Sequence, residues 1–463
     1  MILPTVQPEE STPNLEITPY PTRPVYSPGE LVEYTAQTGD TLIGLAGRFN
    51  TTVKEIRNAN PIIPEDSTTM PPGMPMEMPI YYRSLWGTPF QMVPDSVFVN
   101  GPDAAAFNSQ AFILSQPGWL HGFSAWAFSG TRTAGEIIDH VGINYSISPK
   151  ILLALLEYRG GGLSDPVENI SDHVTIMGFT GTTWTGVYLQ LSTAANLLND
   201  GYYRWRMGEL IEFELKDGSI IRPDPWQNAA TVALQYLFAQ TMDVAEFHYA
   251  IGPDGFANTF TQLFGDPWSV EPHIPGSLTQ PEFDLPFENN QAWAFTGGPH
   301  TGWGSLEPWA ALDFAPPSEQ RSCLPSTIPT TAVAAGVVAR DGTGLLMLDL
   351  NGDGDERTGW VVMYFHVAEA GRLPVGTVVS KGDPLGFPSC EGGRSTGTHI
   401  HIARKFNGEW MPAAGEIPFT MAGWRPERGD FPYSGWLVKD DVWILANTNP
   451  DGRSLIPVEL VGE

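Results

Sequence analysis

The segment Gly397-Thr398-His399-Ile400-His401-Ile402 constrains the fold of the last third of the chain more than any other feature. Side chains alternate between the two faces of a β-strand, so the two histidines would share one face and the two isoleucines the other. Further apolar runs at 331–338, 345–348 and 360–364 are broken by Gly and Asp turns. We therefore predict an antiparallel β-sheet domain over 290–410, with two imidazoles in one groove.

A catalytic zinc site needs three protein ligands and one open position, so the His-x-His pair requires partners upstream. His300 closes a Gly-Gly-Pro-His sequence, and Asp313 lies in an apolar strand where an unpaired carboxylate would be costly to bury. His366 follows the apolar strand 360–365. These positions make the five polar side chains candidates for one metal centre.

In their order along the chain, these pieces and the stretch 374–386 resemble the lysostaphin and LytM type of peptidoglycan zinc endopeptidases. The resemblance implies one zinc ion per chain, held by His300, Asp313 and His401. It also implies that His366 and His399 act around the zinc-bound water and the developing oxyanion.

The spacing between the first two ligands departs from the family pattern, because His300 and Asp313 stand about 13 positions apart. The additional residues 301–309 would have to form a loop that shapes the groove. Glu307, within that loop, is an alternative to Asp313 as the carboxylate ligand.

Residues 31–82 have the pattern of a small module with the order strand, helix, helix, strand. The first strand is expected at 34–36, the helices at 41–49 and 53–58, and the second strand at 73–80. Residues 1–30, with seven prolines among Thr, Ser and Glu, are expected to form a semi-rigid linker.

This module resembles the LysM family through Gly39, Asp40, Thr41 and Asn60, among other positions. LysM domains bind N-acetylglucosamine-containing polymers such as peptidoglycan and chitin, so the resemblance implies targeting to the cell wall. The alternative is a module that keeps the fold without binding glycan.

Residues 85–285 are expected to form a mainly α-helical domain. One helix begins at the Ser148 cap with Pro149 in its first position and ends near Gly160, and another spans 227–239. The segment 148–157 weakly resembles the helix that carries the catalytic acid of lysozyme-like lytic transglycosylases. Glu157 is therefore a candidate glycosidase acid, against the alternative of an ordinary helix-end glutamate.

Two further features leave alternatives open. Asp349, Asn351 and Asp353 match the first half of a calcium loop, but the twelfth position is Trp360, so an acidic hairpin turn competes with a Ca²⁺ site. Cys323 and Cys390 are either a disulfide or two buried thiols.

Composition narrows the partners of this 463-residue chain, whose length suggests about three domains. A formal charge of -28 makes binding to nucleic acid or to an anionic membrane face unfavourable. We expect no transmembrane span, and no signal peptide is visible at the given start. The segment 411–463 carries no motif and stays unassigned, although it could be a β-rich extension packed on the peptidase.

The sequence thus predicts a multidomain, secreted or wall-associated hydrolase: a LysM-like module, a helical middle domain and a zinc endopeptidase that cuts peptide bonds of peptidoglycan. One alternative is a catalytically inactive protein that binds the wall or activates an amidase. Another is a two-activity enzyme with a glycosidase centre at Glu157.

Overall fold

A computed structural model describes residues 23–167, 174–180, 185–288, 290–317 and 323–457. Most of the predicted linker at 1–30 lies outside these residues. Among the described residues, no helix combines the length and the apolar character needed to cross a bilayer.

The N-terminal module has the predicted order of elements: β1 (Glu30–Thr35), α1 (Leu42–Phe49), α2 (Val53–Ala59) and β2 (Pro75–Ile80). The two strands pair in antiparallel orientation. Thr41 caps α1, and Thr52 forms a capping box at the start of α2, which satisfies backbone N–H groups that a helix leaves free. Their apolar faces meet in a small separate core around Leu45 and Phe49.

The middle of the chain contains eight α-helices and two short hairpins among its described residues. In chain order these are α3 (Asp95–Phe98), α4 (Ser109–Leu114), β3 (Ser124–Ala127), β4 (Gly130–Thr133), α5 (Ala134–Tyr145), α6 (Pro149–Gly160), α7 (Val187–Arg206), β5 (Phe213–Glu214), β6 (Ile220–Ile221), α8 (Ala229–Thr241), α9 (Val244–Ala250) and α10 (Phe256–Phe264). Helix α6 starts at the Ser148 cap with Pro149 in its first turn, as its sequence predicts. Every residue from Ile151 to Leu156 is buried, so α6 lies in the interior of this domain.

The C-terminal part is built from strands. They are β7 (Ala294–His300), β8 (Ala311–Ala315), β9 (Thr330–Thr331), β10 (Gly336–Gly342), β11 (Leu345–Asp349), β12 (Trp360–Phe365), β13 (Val378–Val379), β14 (Pro384–Gly386), β15 (Ile400–Phe406), β16 (Glu409–Trp410), β17 (Arg425–Arg428), β18 (Gly435–Lys439) and β19 (Val442–Leu445). The main sheet has the order β13-β10-β11-β12-β15-β8-β7, with β16 paired to β15, and β17-β18-β19 form a separate sheet. All the pairs in these two sheets are antiparallel, as predicted.

The two faces of the main sheet are buried by different parts of the chain. Leu346, Val362 and Ile402 point into a core that also contains residues of the 411–463 segment, such as Phe419 and Leu437. The opposite face belongs to the same continuous core as the helical domain, through Leu345, Met347, Met363, Ala403 and Trp410. The helices therefore pack directly on one side of the peptidase sheet.

A buried group of charged side chains joins the three parts of the molecule. Arg206, at the end of α7, lies 3.1 Å from a carboxylate oxygen of Asp95 and 3.2 Å from one of Glu409 in β16. It also donates a hydrogen bond to the carbonyl of Thr38 in the N-terminal module. His273 Nε2 lies 2.6 Å from the same Glu409 oxygen. Because these groups are nearly inaccessible to solvent, the charge of Glu409 depends on partners across a domain boundary.

Candidate metal centre and active site

Three of the predicted side chains converge where three neighbouring strands meet. His300 ends β7, while Asp313 and His401 are directly opposite each other in the pairing of β8 and β15. His300 Nε2 lies 3.0 Å from His401 Nδ1, and each of these nitrogens lies 3.3 Å from Asp313 Oδ1. Exposed fractions of 1%, 6% and 8% show that the group is buried.

Backbone carbonyls fix which nitrogen of each ring faces this point. His300 Nδ1 lies 2.8 Å from the carbonyl of Gly298, and His401 Nε2 lies 3.1 Å from that of Gly302. A carbonyl only accepts hydrogen bonds, so these nitrogens donate, and His300 Nε2 and His401 Nδ1 are left with free lone pairs. This is the usual way in which protein groups orient metal-binding histidines.

His300 Nε2, His401 Nδ1 and Asp313 Oδ1 are arranged as ligands of a metal ion, not as hydrogen-bond partners of one another. Asp313 Oδ1 is buried without a hydrogen-bond partner among the described residues. Two lone pairs and a carboxylate oxygen would repel one another unless a cation lies between them. Zinc bonds of 2.0–2.1 Å in a tetrahedron would separate ligand atoms by about 3.3 Å, close to the distances observed.

The charge states agree with this arrangement. Burial alone would raise the pKa of Asp313, but the neighbouring imidazoles of His300 and His399 favour the ionised carboxylate, outweigh burial and hold that pKa well below its usual range. Burial lowers the pKa of His401. An ionised carboxylate and a neutral imidazole are the forms that bind a metal ion.

His366 and His399 lie beside this cluster, with their ring centroids 4.5 Å apart. His366 Nδ1 donates to the carbonyl of Glu391, and His399 Nδ1 donates to that of Gly397, both at 2.8 Å. The Nε2 atom of each ring is therefore free to accept a proton. Burial, reinforced by the neighbouring imidazole of His399, lowers the pKa of His366 to about 4, so that this ring is neutral near pH 7.

One aromatic contact at the cluster comes from the segment that the sequence left unassigned. The ring of Tyr433 stacks on that of His300, with centroids 4.0 Å apart and planes inclined by 23°. Backbone hydrogen bonds join Tyr433 to Gly298 and Pro299 in β7, which holds the stack in register. Tyr433 has a φ of 69°, an unusual backbone conformation for a residue with a side chain.

The additional loop between the first two ligands is pinned to the helical domain. Ser305 donates through its backbone N–H and its hydroxyl to Asn196 of α7. Glu307 points away from the metal cluster and pairs with Arg428 at 2.7 Å. The structure therefore favours Asp313 over Glu307 as the carboxylate ligand.

The helical domain also covers the face of the sheet that carries the cluster. Phe365 is directly opposite His401 and Met363 directly opposite Ala403, so all four side chains lie on one face. Helix α5 reaches this side, where Lys405 Nζ donates to the carbonyl of Ile143 at 3.1 Å. His399 is the more open of the two assisting histidines, with 16% of its side chain accessible.

Glu157 does not have the surroundings of a free glycosidase acid. Its carboxylate accepts hydrogen bonds from the backbone N–H groups of Leu163 and Ser164 and from the Ser164 hydroxyl, at 2.5–3.1 Å. These bonds close the loop that follows α6. The structure therefore favours the alternative of a structural helix-end glutamate.

The acidic turn between β11 and β12 is closed in the same manner. Asp349 accepts hydrogen bonds from the backbone N–H groups of Asn351, Gly352 and Gly354, and Asn351 contacts Asp353. Among the described residues, the group of side chains arranged to hold a metal ion is His300, Asp313 and His401. The acidic residues thus have the contacts of a hairpin turn.

Two other sets of predicted residues have structural contacts. Cys323 and Cys390 form a disulfide.

In the N-terminal module, Asp40 bonds to Tyr34 and Arg48, and Asn60 bonds to the backbone of Ile56 and Glu77. Thr41 is the cap of α1, and Gly39 lies against the guanidinium of Arg206. These four signature residues therefore maintain and dock the module.

Comparison with known proteins identifies relatives of three parts of the chain. A family model described as LysM domain matches residues 34–75, and one described as LasA, N-terminal domain matches residues 91–277. Protease LasA of Pseudomonas aeruginosa strain PAO1 is 25% identical over 343 residues, which cover 69% of this chain and 75% of that protein. The same protease from strain UCBPP-PA14 is 24% identical over the same shares.

Solved structures of peptidases are also similar to part of this chain. One is described as a novel M23 metalloprotease, pseudoalterin, from the deep sea. It is 22% identical, the match covers 36% of this chain and 96% of that one, and the TM-score is 0.31. The catalytic domain of lysostaphin from Staphylococcus simulans is 23% identical. The match covers 27% of this chain and 90% of that one, with a TM-score of 0.20.

The LysM match confirms the predicted LysM domain, and the similarity to Protease LasA agrees with the recognition of a lysostaphin- or LytM-type peptidase. The match at 91–277 gives no support to the lysozyme-like interpretation of the middle domain.

Proposed function

We propose that this chain, a LysM-containing relative of Protease LasA, is a secreted or wall-associated zinc metalloendopeptidase that cleaves peptide bonds in the stems or cross-links of peptidoglycan. The observation that carries the proposal is the convergence of His300, Asp313 and His401 around a buried carboxylate oxygen without a hydrogen-bond partner. The LysM domain supports a peptidoglycan substrate. The disulfide is consistent with an oxidising, extracytoplasmic setting.

In this proposal, His300, Asp313 and His401 hold the metal, with their orientation fixed by the carbonyls of Gly298 and Gly302. A bound zinc ion would supply Lewis acidity and lower the pKa of a coordinated water toward neutrality. The chain's own contribution to the chemistry comes from the free Nε2 atoms of His366 and His399. The more accessible His399 would accept a proton at Nε2, while neutral His366 would orient the reacting groups beside it.

A catalytically inactive wall-binding protein remains the competing function from another class. Such a protein has no use for a complete ligand set with two further histidines beside it. All five side chains lie together in this structure, which favours the enzyme.

Digestion of purified peptidoglycan by the wild type and by three single variants tests the proposal. We expect the wild type to hold about one zinc per chain and to release peptides that mass spectrometry can identify. His401→Ala should lose both metal and activity, because it removes a ligand. His399→Ala and His366→Ala should keep the metal and lose roughly 10²- to 10⁴-fold in rate.

The exposed His121, in the helical domain, provides a matched control through His121→Ala, which should behave as the wild type does. If the wild type leaves every peptide bond intact while it sediments with the wall, the chain is a binding or regulatory protein. If His399→Ala loses zinc as fully as His401→Ala, the division of roles is wrong.

A further inference from the structure

The outer face of the C-terminal sheet exposes two tryptophans side by side. In the pairing of β18 with β19, Trp436 is opposite Leu445 and Val438 is opposite Trp443, so these four side chains share one face. Trp436 is 37% exposed and Trp443 is 59% exposed, and their ring centroids lie 6.4 Å apart. We call this face, made of Trp436, Val438, Trp443 and Leu445, the aromatic platform.

The opposite side of the same sheet accounts for its stability. Leu437 and Ile444, which alternate with the platform residues, are buried in the core of the peptidase sheet. The face that carries the two indole rings is therefore the one that the core leaves open. A pair of large aromatic side chains exposed on one sheet face is typical of binding surfaces.

The aromatic platform and the metal cluster are joined by a short turn of the chain. The turn before β18 carries Tyr433, which stacks on His300, and Gly435 packs against Pro299. Trp436 is the next residue along the chain. The platform therefore lies next to the β7 edge of the sheet that carries the cluster.

The charges on this face favour an uncharged partner. Arg425 and Glu427, on the neighbouring strand β17, lie on the platform side and pair with each other at 2.7 Å. The whole chain carries a net charge of -28, which repels anionic polymers. Indole rings can stack on the apolar face of a sugar ring, which carries no charge.

The size of the face argues against a second copy of the chain as its partner. Three strands with at most five residues each span about 17 by 14 Å, or roughly 240 Å². A stable protein interface buries about 800 Å² on each partner. A short stretch of oligosaccharide is the partner that fits.

We propose that the aromatic platform binds the glycan strand of the polymer substrate, as a saccharide site separate from the LysM domain. The inference rests on the proposed function, because that function makes the substrate a glycan with attached peptides. Binding of the glycan at Trp436 and Trp443 would hold the protein on the polymer next to the β7 edge of the sheet. The unassigned segment 411–463 would then contribute to substrate selection.

Fluorine NMR of protein labelled with 5-fluorotryptophan tests the proposal directly. The probe is a peptide-free β-1,4-linked tetrasaccharide of N-acetylglucosamine, and Trp436→Phe and Trp443→Phe assign the two resonances. We expect both resonances to shift in a saturable manner as the tetrasaccharide is added. The LysM domain is reported separately by Trp86 and Trp226, which pack against it.

The proposal fails if neither platform resonance shifts in a titration carried to the solubility limit of the tetrasaccharide. It also fails if the resonances shift with protein concentration alone, since that result would make the face a contact between copies. The exposed Trp126, in the β3–β4 hairpin, is the control, and its resonance should stay unchanged.

Kinetics provide the second readout. In Trp443→Ala we expect the KM for whole peptidoglycan to rise about tenfold, because the loss of one aromatic contact removes about 1.4 kcal/mol of binding free energy. Cleavage of a soluble, sugar-free peptide from the same wall should be unchanged. Equal losses on both substrates would overturn the proposal, whereas a wild type that cuts neither would refute the proposed function and leave the NMR result to decide the platform.

Discussion

The ring of Tyr433 lies on the ring of His300, with 4.0 Å between centroids, although the tyrosine comes from a turn between two strands of a separate small sheet. Only the Nδ1 atom of His300 is held by a backbone carbonyl, so the stacked ring restricts rotation of the imidazole about its hydrogen bond. The position of a metal ligand thus depends on a segment that carries no metal-binding motif of its own.

We expect Tyr433→Ala to weaken zinc binding by roughly 10- to 100-fold, the usual cost of removing a group that orients a ligand. Tyr433→Phe keeps the ring and should retain the affinity of the wild type. Competition with a chromophoric chelator measures both dissociation constants. An unchanged affinity in Tyr433→Ala would show that the carbonyl of Gly298 is sufficient to orient His300.

The candidate side chains could be found from the sequence, because they lie in short local patterns, whereas their division into ligands and assisting histidines came from the family resemblance. Alternation along one strand placed His399 and His401 on a common face, and the cost of burying a lone carboxylate singled out Asp313. The helix at 149–160 was predictable for the same reason, since its cap and its first-turn proline are local signals.

What could not be predicted depends on contacts between distant segments. The apolar pattern of β12 and β15 shows that both faces are buried, but it does not show that helices of the middle domain cover the face bearing His401. The stack of Tyr433 on His300 is equally non-local.

Gly298, where β7 packs against the turn that carries Tyr433, should be sensitive to substitution. A Cβ atom on Gly298 would lie 2.4 Å from the carbonyl oxygen of Ser434, next to Tyr433, so the backbone of the turn would have to shift. We expect Gly298→Ala to lower the stability of the peptidase domain by about 1–3 kcal/mol and to weaken zinc binding. Chemical denaturation and the chelator assay measure the two effects.

Gly397 offers a matched control near the same cluster, because a Cβ atom there would meet nothing within 4 Å. Gly397→Ala should therefore keep both stability and zinc affinity. Equal behaviour of the two variants would contradict the close packing of β7 against the Tyr433 turn.

Removal of the metal should destabilise the folded chain, because the ligand atoms of His300, Asp313 and His401 would then face one another without a cation. Without a cation, the free lone pairs of His300 and His401 oppose Asp313 Oδ1. A ligand present at 100 times its Kd stabilises the folded state by about 2.7 kcal/mol, so chelation should lower the Tm by several degrees and added zinc should restore it. In His401→Ala, neither treatment should change the Tm, and a shift of wild-type size in that variant would rule out zinc binding at this cluster.

The buried carboxylate of Glu409 should make the junction between the domains sensitive to acid. Burial opposes ionisation, but Arg206 and His273 outweigh it and lower the pKa of Glu409 to about 2. Its folded-state pKa is below the unfolded value, so its contribution is full above about pH 4.5 and is lost as the pH falls toward 2. The contribution of Asp95 changes with pH in the opposite direction, because burial raises its pKa despite the nearby Arg206, and it offsets part of this dependence.

We expect Glu409→Gln to reduce the loss of unfolding free energy over this pH range by about 3 kcal/mol, measured by urea denaturation at several pH values. Glu65→Gln, at an exposed position in the N-terminal module, should leave the profile unchanged. If Glu409→Gln has the same acid dependence as the wild type, Glu409 is not ionised in the folded junction, and the charge of Arg206 is balanced there by Asp95.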